Sequence, residues 1–168
     1  QQQAVLADDT LWIDAAVFSP DGQFILTWNT WQGNEALLWG RDGRLRQSLI
    51  GHEAEIVTAV FNQDGQTILT TSQDGTARLW TAQGEPLAVY AWANLAMFSP
   101  DEQLILTAGC EEVTRIEGCR RSTIRLWDRQ GNLIKSLDSG EREMRSVIFS
   151  PDGELILAAG QDDIARLW

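Results

Sequence analysis

The chain has 168 residues, with 24 acidic against 13 basic side chains and a formal net charge of −11. That charge repels phosphate backbones and anionic lipids and so argues against nucleic acid and membrane surfaces as partners; no apolar run approaches the roughly 18 residues of a spanning helix. Two cysteines, Cys110 and Cys119, exclude a disulfide-built scaffold.

In chain order, residues 2–18 align with 45–61, so residues 4–7 match the segment 47–50 and are expected to form an outer strand within 1–8. A turn phrase of the type Phe–Ser–Pro–Asp–Gly then begins at Phe18 and returns at Phe61, Phe98 and Phe149. Each copy closes on a Leu–Trp pair, at Trp39, Trp80, Trp127 and Trp168. Four copies in 168 residues average 42 each, a period that marks a repeat architecture.

The second copy shows the unit most plainly. Residues 56–61 read as a short apolar strand, 66–72 as a second, 76–80 as a third and 87–90 as an outer fourth. Asp64–Gly65, Asp74–Gly75 and Gln83–Gly84 supply the turns. Pro86 suits an outer edge, where a missing donor does least harm. Short strands divided by Gly and Asp turns predict an all-β fold. The third copy is ten residues longer than the second between its Phe and Trp, and the surplus, roughly 110–121, reads as a loop holding Glu111, Glu112, Arg115, Glu117, Arg120 and Arg121.

The repeats resemble the WD-repeat family of β-propellers, in which about 40–45 residues make one four-stranded blade. The resemblance implies an outer strand at 1–8 and blades at about 9–51, 52–91, 92–139 and 140–168, the last without an outer strand of its own. It also implies a buried network in each blade, formed by His, a Ser or Thr on the second strand, Asp and Trp. The second copy carries it as His52, Ser72, Asp74 and Trp80. The other copies depart from the pattern. Asp9, Val89 and Gly140 stand where His52 falls, and Gly160 replaces the Ser in the fourth, so three networks are expected to be incomplete.

Four tryptophans fall outside the Leu–Trp positions. Trp12 and Trp92 lie six residues before Phe18 and Phe98, where Glu55 and Glu143 stand in the other two copies. Trp31 lies between the second and third strands of the first copy, and Trp28 is expected to end a strand and be buried. In the resemblance these positions open on the top face, the usual partner-binding face. Trp12, Trp31 and Trp92 are therefore the expected anchors, with Glu55, Gln73, Arg120, Arg145 and Gln161 setting orientation and charge.

His52 is the only histidine and is committed to the network, so the chain lacks the free imidazole of a hydrolytic triad. Two cysteines and that histidine do not make a zinc site, and a cytosolic setting predicts free thiols. The resemblance therefore implies a non-enzymatic scaffold or sensing module of bacterial type. It would bind a protein or peptide, with no cofactor, no metal and a cytoplasmic location; the alternative is a small ligand or glycan stacked on the same tryptophans. The missing initiating Met and the end on Trp168 favour a segment of a longer chain over two copies joined into one eight-bladed ring.

Overall fold

The structure is a computed structural model that describes residues 5–6, 12–31, 33–114, 118–140 and 143–168. The outer strand expected over 1–8 lies, apart from Val5 and Leu6, outside the described residues, as do Asp9, Arg115 and Glu117.

Among the described residues all regular structure is β, in fifteen strands and four antiparallel sheets. The first sheet is β1 (Ala15–Phe18), β2 (Phe24–Trp28), β3 (Glu35–Gly40) and β4 (Leu45–Ile50). The second is β5 (Ile56–Phe61), β6 (Thr67–Ser72), β7 (Thr76–Thr81) and β8 (Pro86–Ala91). The third is β9 (Leu95–Phe98), β10 (Leu104–Thr114), β11 (Gly118–Asp128) and β12 (Leu133–Asp138). The fourth has three strands, β13 (Met144–Phe149), β14 (Ile156–Gly160) and β15 (Ala165–Leu167). Each sheet is a meander in chain order, as short strands with tight polar turns dictate.

Contacts divide the chain into two compact units: Gln1–Asp74 with Arg78–Leu87, and Gly75–Ala77 with Ala88–Trp168. The first unit is built on Leu26, Ala36, Leu38, Leu49, Ile56, Ala59, Ile68 and Trp80, all buried. The second is built on Leu106, Ala108, Ile124, Met144, Val147, Ile156 and Ala158. All six residues of β6 are buried, whereas β4 exposes Leu45, Arg46, Gln47 and Ile50. In the second and third sheets the second strands are covered on both faces, so the apolar runs Ile68–Leu69 and Ile105–Leu106 are buried outright, while in the first sheet Leu26 is buried and Ile25 half-buried.

The recurrent turn phrase is a side-chain clasp. Ser19 donates to Asp21 (2.6 Å), Asp21 accepts from the Gln23 N–H (3.0 Å), and Ser19 Oγ accepts from the Phe24 N–H (2.9 Å). Ser99 and Asp101 repeat it, as do Ser150 and Asp152. The serine hydroxyl is the main reason that the carboxyls of Asp21, Asp101 and Asp152 lie below the ordinary carboxylate range. These acids serve the turns.

The third-copy surplus is not a loop. It continues the ladder, so that β10 and β11 run eleven residues each, with register shifts between Cys110 and Glu112 and between Glu112 and Val113. Bulges absorb the odd residues and let the pairing resume. Cys110 and Cys119 are joined by a disulfide across the two strands, Cα to Cα 5.7 Å, against the expectation of free thiols. In the ladder Cys110 faces Ser122 and Cys119 faces Val113, so the disulfide spans the bulged stretch.

Candidate functional site

The second sheet carries a directed chain of hydrogen bonds. The Trp80 indole N–H donates to Thr70 Oγ1 (3.0 Å), the same hydroxyl lies 2.8 Å from His52 Nε2, and His52 Nδ1 lies 2.8 Å from Asp74 Oδ2. With Asp74 accepting, Nδ1 carries the proton and Nε2 accepts from Thr70, which fixes a neutral imidazole tautomer. The hydroxyl in this chain belongs to Thr70, not to Ser72 as the sequence reading has it. Ser72 stands one step out, donating to the Ala54 carbonyl (2.9 Å) and accepting from the Asp74 N–H (3.1 Å). Two residues along a strand share a face, so Thr70 and Ser72 both point towards this network. Thr70 is the one level with the indole.

The threonine recurs. Trp39 Nε1 donates to Thr27 and Trp127 Nε1 to Thr107, each at 2.8 Å. The phrase Ile–Leu–Thr at residues 25–27, 68–70 and 105–107 was the sequence signal for it, and in the fourth copy Ala158 takes its place. Of the three copies without histidine, the third and fourth are not simply incomplete. Arg125 and Arg166 each stand two residues before their Trp, and each meets an acid. Arg166 Nη1 lies 2.6 Å from Asp162, and Arg125 pairs with Glu111 on the extended hairpin. An arginine from the third strand replaces the imidazole as the carboxylate's partner.

Burial holds the His52 pKa below its ordinary 6.5, only partly offset by the hydrogen bond and charge of Asp74. The unfolded chain therefore binds more protons than the native state below pH 6.5. Stability contributed by neutral His52 is complete above that value and is lost as pH falls towards the folded pKa. Urea midpoints measured from pH 8 to 4.5 should be flat above 6.5 and decline below it. His52→Gln should flatten the decline between 6.5 and 5; an unchanged profile would show that His52 does not titrate as described.

The anchor residues expected from the sequence in the first unit stand at the end where the first strand of a sheet begins and the second ends. In the first unit Ala15 pairs with Trp28, Glu35 with Ile50 and Ile56 with Ser72. Trp12, 80 % exposed, lies three residues before β1, and Trp31, 79 % exposed, lies in the β2–β3 loop. Asp14 accepts from the Thr30 N–H and hydroxyl (3.1 and 2.9 Å), and the Trp31 N–H donates to Asn29 (2.7 Å), which ties the two tryptophan-bearing segments together. The Ile56 N–H reaches the Gly33 carbonyl (2.9 Å), and the Gln73 N–H reaches that of Glu55 (2.9 Å). Glu55 and Gln73 thus share one end with both tryptophans. Trp28 ends β2, packs on the core and is half-buried.

A model of the WD domain, G-beta repeat, matches residues 43–81 and 131–168. These segments end on the Leu–Trp pairs of the second and fourth copies, and the described residues form four successive antiparallel meanders. The chain belongs to the WD-repeat family. It is 26 % identical over 163 residues to the nuclear distribution protein PAC1-2 of Uncinocarpus reesii, across 81 % of this chain and 36 % of that one. It is 32 % identical over 123 residues to an uncharacterized WD repeat-containing protein of a Synechocystis species, across 71 % and 34 %. It is 25 % identical over 167 residues to a guanine nucleotide-binding protein subunit beta of Zea mays, across 94 % and 44 %. The chain thus spans less than half the length of these relatives.

In this WD-repeat chain the second unit carries Trp92, Arg120, Arg145 and Gln161. Trp92 is 49 % exposed and holds a φ of 56°, a left-handed conformation rare for a bulky residue. Gly109 makes room for it, since a Cβ there would come within 2.2 Å of the Trp92 carbonyl oxygen. The position six before the phenylalanine lies three residues before the strand in copies one and three, but directly before it in copies two and four, because β1 and β9 are two residues shorter than β5 and β13. Arg145 is exposed on β13. Gln161 donates to Glu143 (3.0 Å), and Arg120 is exposed on the hairpin extension. Among the described residues no three His, Cys, Asp or Glu side chains converge as metal ligands, and no helix is long and apolar enough to cross a membrane.

Proposed function

We propose that this WD-repeat chain is a non-enzymatic docking module that binds a protein or peptide segment on the Trp12–Trp31 end of its first unit. One observation carries the reading: two indoles stand about four-fifths exposed on neighbouring, hydrogen-bonded segments. Exposed tryptophan is a frequent anchor of interfaces and costs solubility where it has no use. Glu55 and Gln73 border the pair and orient the partner; Trp92, Arg145 and Gln161 offer a second surface on the other unit. One relative is by name a subunit of a larger assembly, which supports a role through partners.

The experiment is selection of a displayed library of random dodecapeptides on the intact chain. The double variant W12A/W31A should recover at least tenfold fewer binders, whereas Arg44→Ala, in the β3–β4 turn at the opposite end, should recover as many as the parent. Both substitutions touch exposed side chains, so melting temperatures should stay within about 2 °C. Equal recovery by the double variant would remove the reading.

A further inference from the structure

We infer that the segment docked on the Trp12–Trp31 end is cationic, carrying arginine or lysine side chains that stack on the two indoles. The inference rests on the docking reading above and adds the chemistry of the partner. Its basis is how charge is distributed along the first unit. That unit has four cations, and three of them, Arg41, Arg44 and Arg46, lie in or beside the turn from β3 to β4, the end away from the tryptophans. Arg44 and Arg46 are there paired with Asp42, at 3.9 and 2.8 Å. The fourth, Arg78, is half-buried, with Nη1 2.8 Å from where a Gly51 Cβ would stand.

At that far end the three arginines stand among Asp21, Asp42, Asp64 and Glu85, whereas the tryptophan end holds acids with no exposed cation to offset them. Asp14 and Glu53 are exposed there, and Glu35 and Glu55 are half-exposed. No exposed cation of this unit shares that end among the described residues. An indole face attracts a guanidinium or ammonium group, and surrounding carboxylates raise the local concentration of such groups. An acidic or neutral apolar segment would meet the same indoles but would gain nothing from the carboxylates, and an acidic one would be repelled.

A second observation is independent of charge. The Trp28 indole N–H is buried with no acceptor, beside a crevice lined by Trp12, Asn29 and Glu35 that is too narrow to admit a water molecule. A buried donor without an acceptor is uncommon, and a bound carbonyl satisfies this one once the exposed Trp12 ring swings aside. An extended basic peptide supplies both groups, a cation for the exposed rings and main-chain carbonyls at the crevice beneath Trp12.

The composition of the dodecapeptides recovered from the random library tests the inference. Parent chain should enrich arginine and lysine at least threefold over the unselected pool, and recovery should fall as salt rises from 50 to 500 mM. The variant E53Q/E55Q should lose that enrichment while still recovering peptides, and W28F should weaken a synthetic selected peptide several-fold without changing its charge preference. Peptides that depend on Trp12 and Trp31 yet show no cation enrichment would overturn the inference and leave the docking reading standing. Failure to recover any peptide, or recovery indifferent to both tryptophans, would overturn the two together.

Discussion

Glu111→Ala should lower stability by about 3 kcal/mol, near the bottom of the range for breaking a buried ion pair from one side. The Arg125 side chain is 6 % exposed and sits in β11, with Glu111 of the extended hairpin as its acid partner and Arg121 Nε 3.7 Å from the same carboxylate. Burial depresses the Arg125 pKa, so this position disfavours a lone charge. A guanidinium stays protonated at neutral pH regardless, so removing Glu111 leaves a cation that can neither neutralise nor reach water. The converse change is milder. Glu111 is 27 % exposed and can turn outward, so Arg125→Met should cost less than half as much. The double variant should then be no worse than Arg125→Met alone. Urea unfolding of the four chains gives the cycle, and for 168 residues a 3 kcal/mol loss moves the melting temperature by roughly 6–12 °C. Two small, additive losses would mean that the pair does not hold the hairpin to its sheet.

This prediction concerns the part of the chain that the sequence described least well. Strands β5 to β8 match their expected spans to within one residue at each end, because turn glycines and β-branched runs are local signals. The surplus at 110–121 has charges and no repeat counterpart, which reads as solvent-exposed loop. Its pairing depends on two bulges and a cross-strand disulfide, which are non-local and invisible to pattern. The same limit applies to Arg125 and Arg166. Each was plain in the sequence as the residue two before Trp, but only the structure shows that Glu111 and Asp162 receive them. Trp12 and Trp92 were legible for the opposite reason. Their offsets from Phe18 and Phe98 are fixed by the repeat, and a strand end has few places to hide an indole.

Thr70→Val should cost about 3 kcal/mol, and Ser72→Ala about 1 kcal/mol. Valine keeps the shape of threonine and removes only the hydroxyl. That hydroxyl takes the Trp80 indole N–H and serves His52 Nε2, and both rings are almost fully buried. Each buried group deprived of its partner costs about 1–3 kcal/mol, and two depend on this oxygen. Ser72 acts between main-chain groups, the Ala54 carbonyl and the Asp74 N–H, at the edge of the network. Thr27→Val and Thr107→Val provide the control, because those hydroxyls serve Trp39 and Trp127 with no imidazole beside them; each should cost about half as much as Thr70→Val. Imidazole nitrogen shifts in the Thr70 variant should also change at Nε2, which loses its donor, while Nδ1 keeps the proton that Asp74 accepts, a selective change that a merely loosened core would not produce. If Ser72→Ala proved the more damaging substitution, the hydrogen-bond chain would run through the serine after all, and the Ile–Leu–Thr phrase would be a packing feature with no part in it.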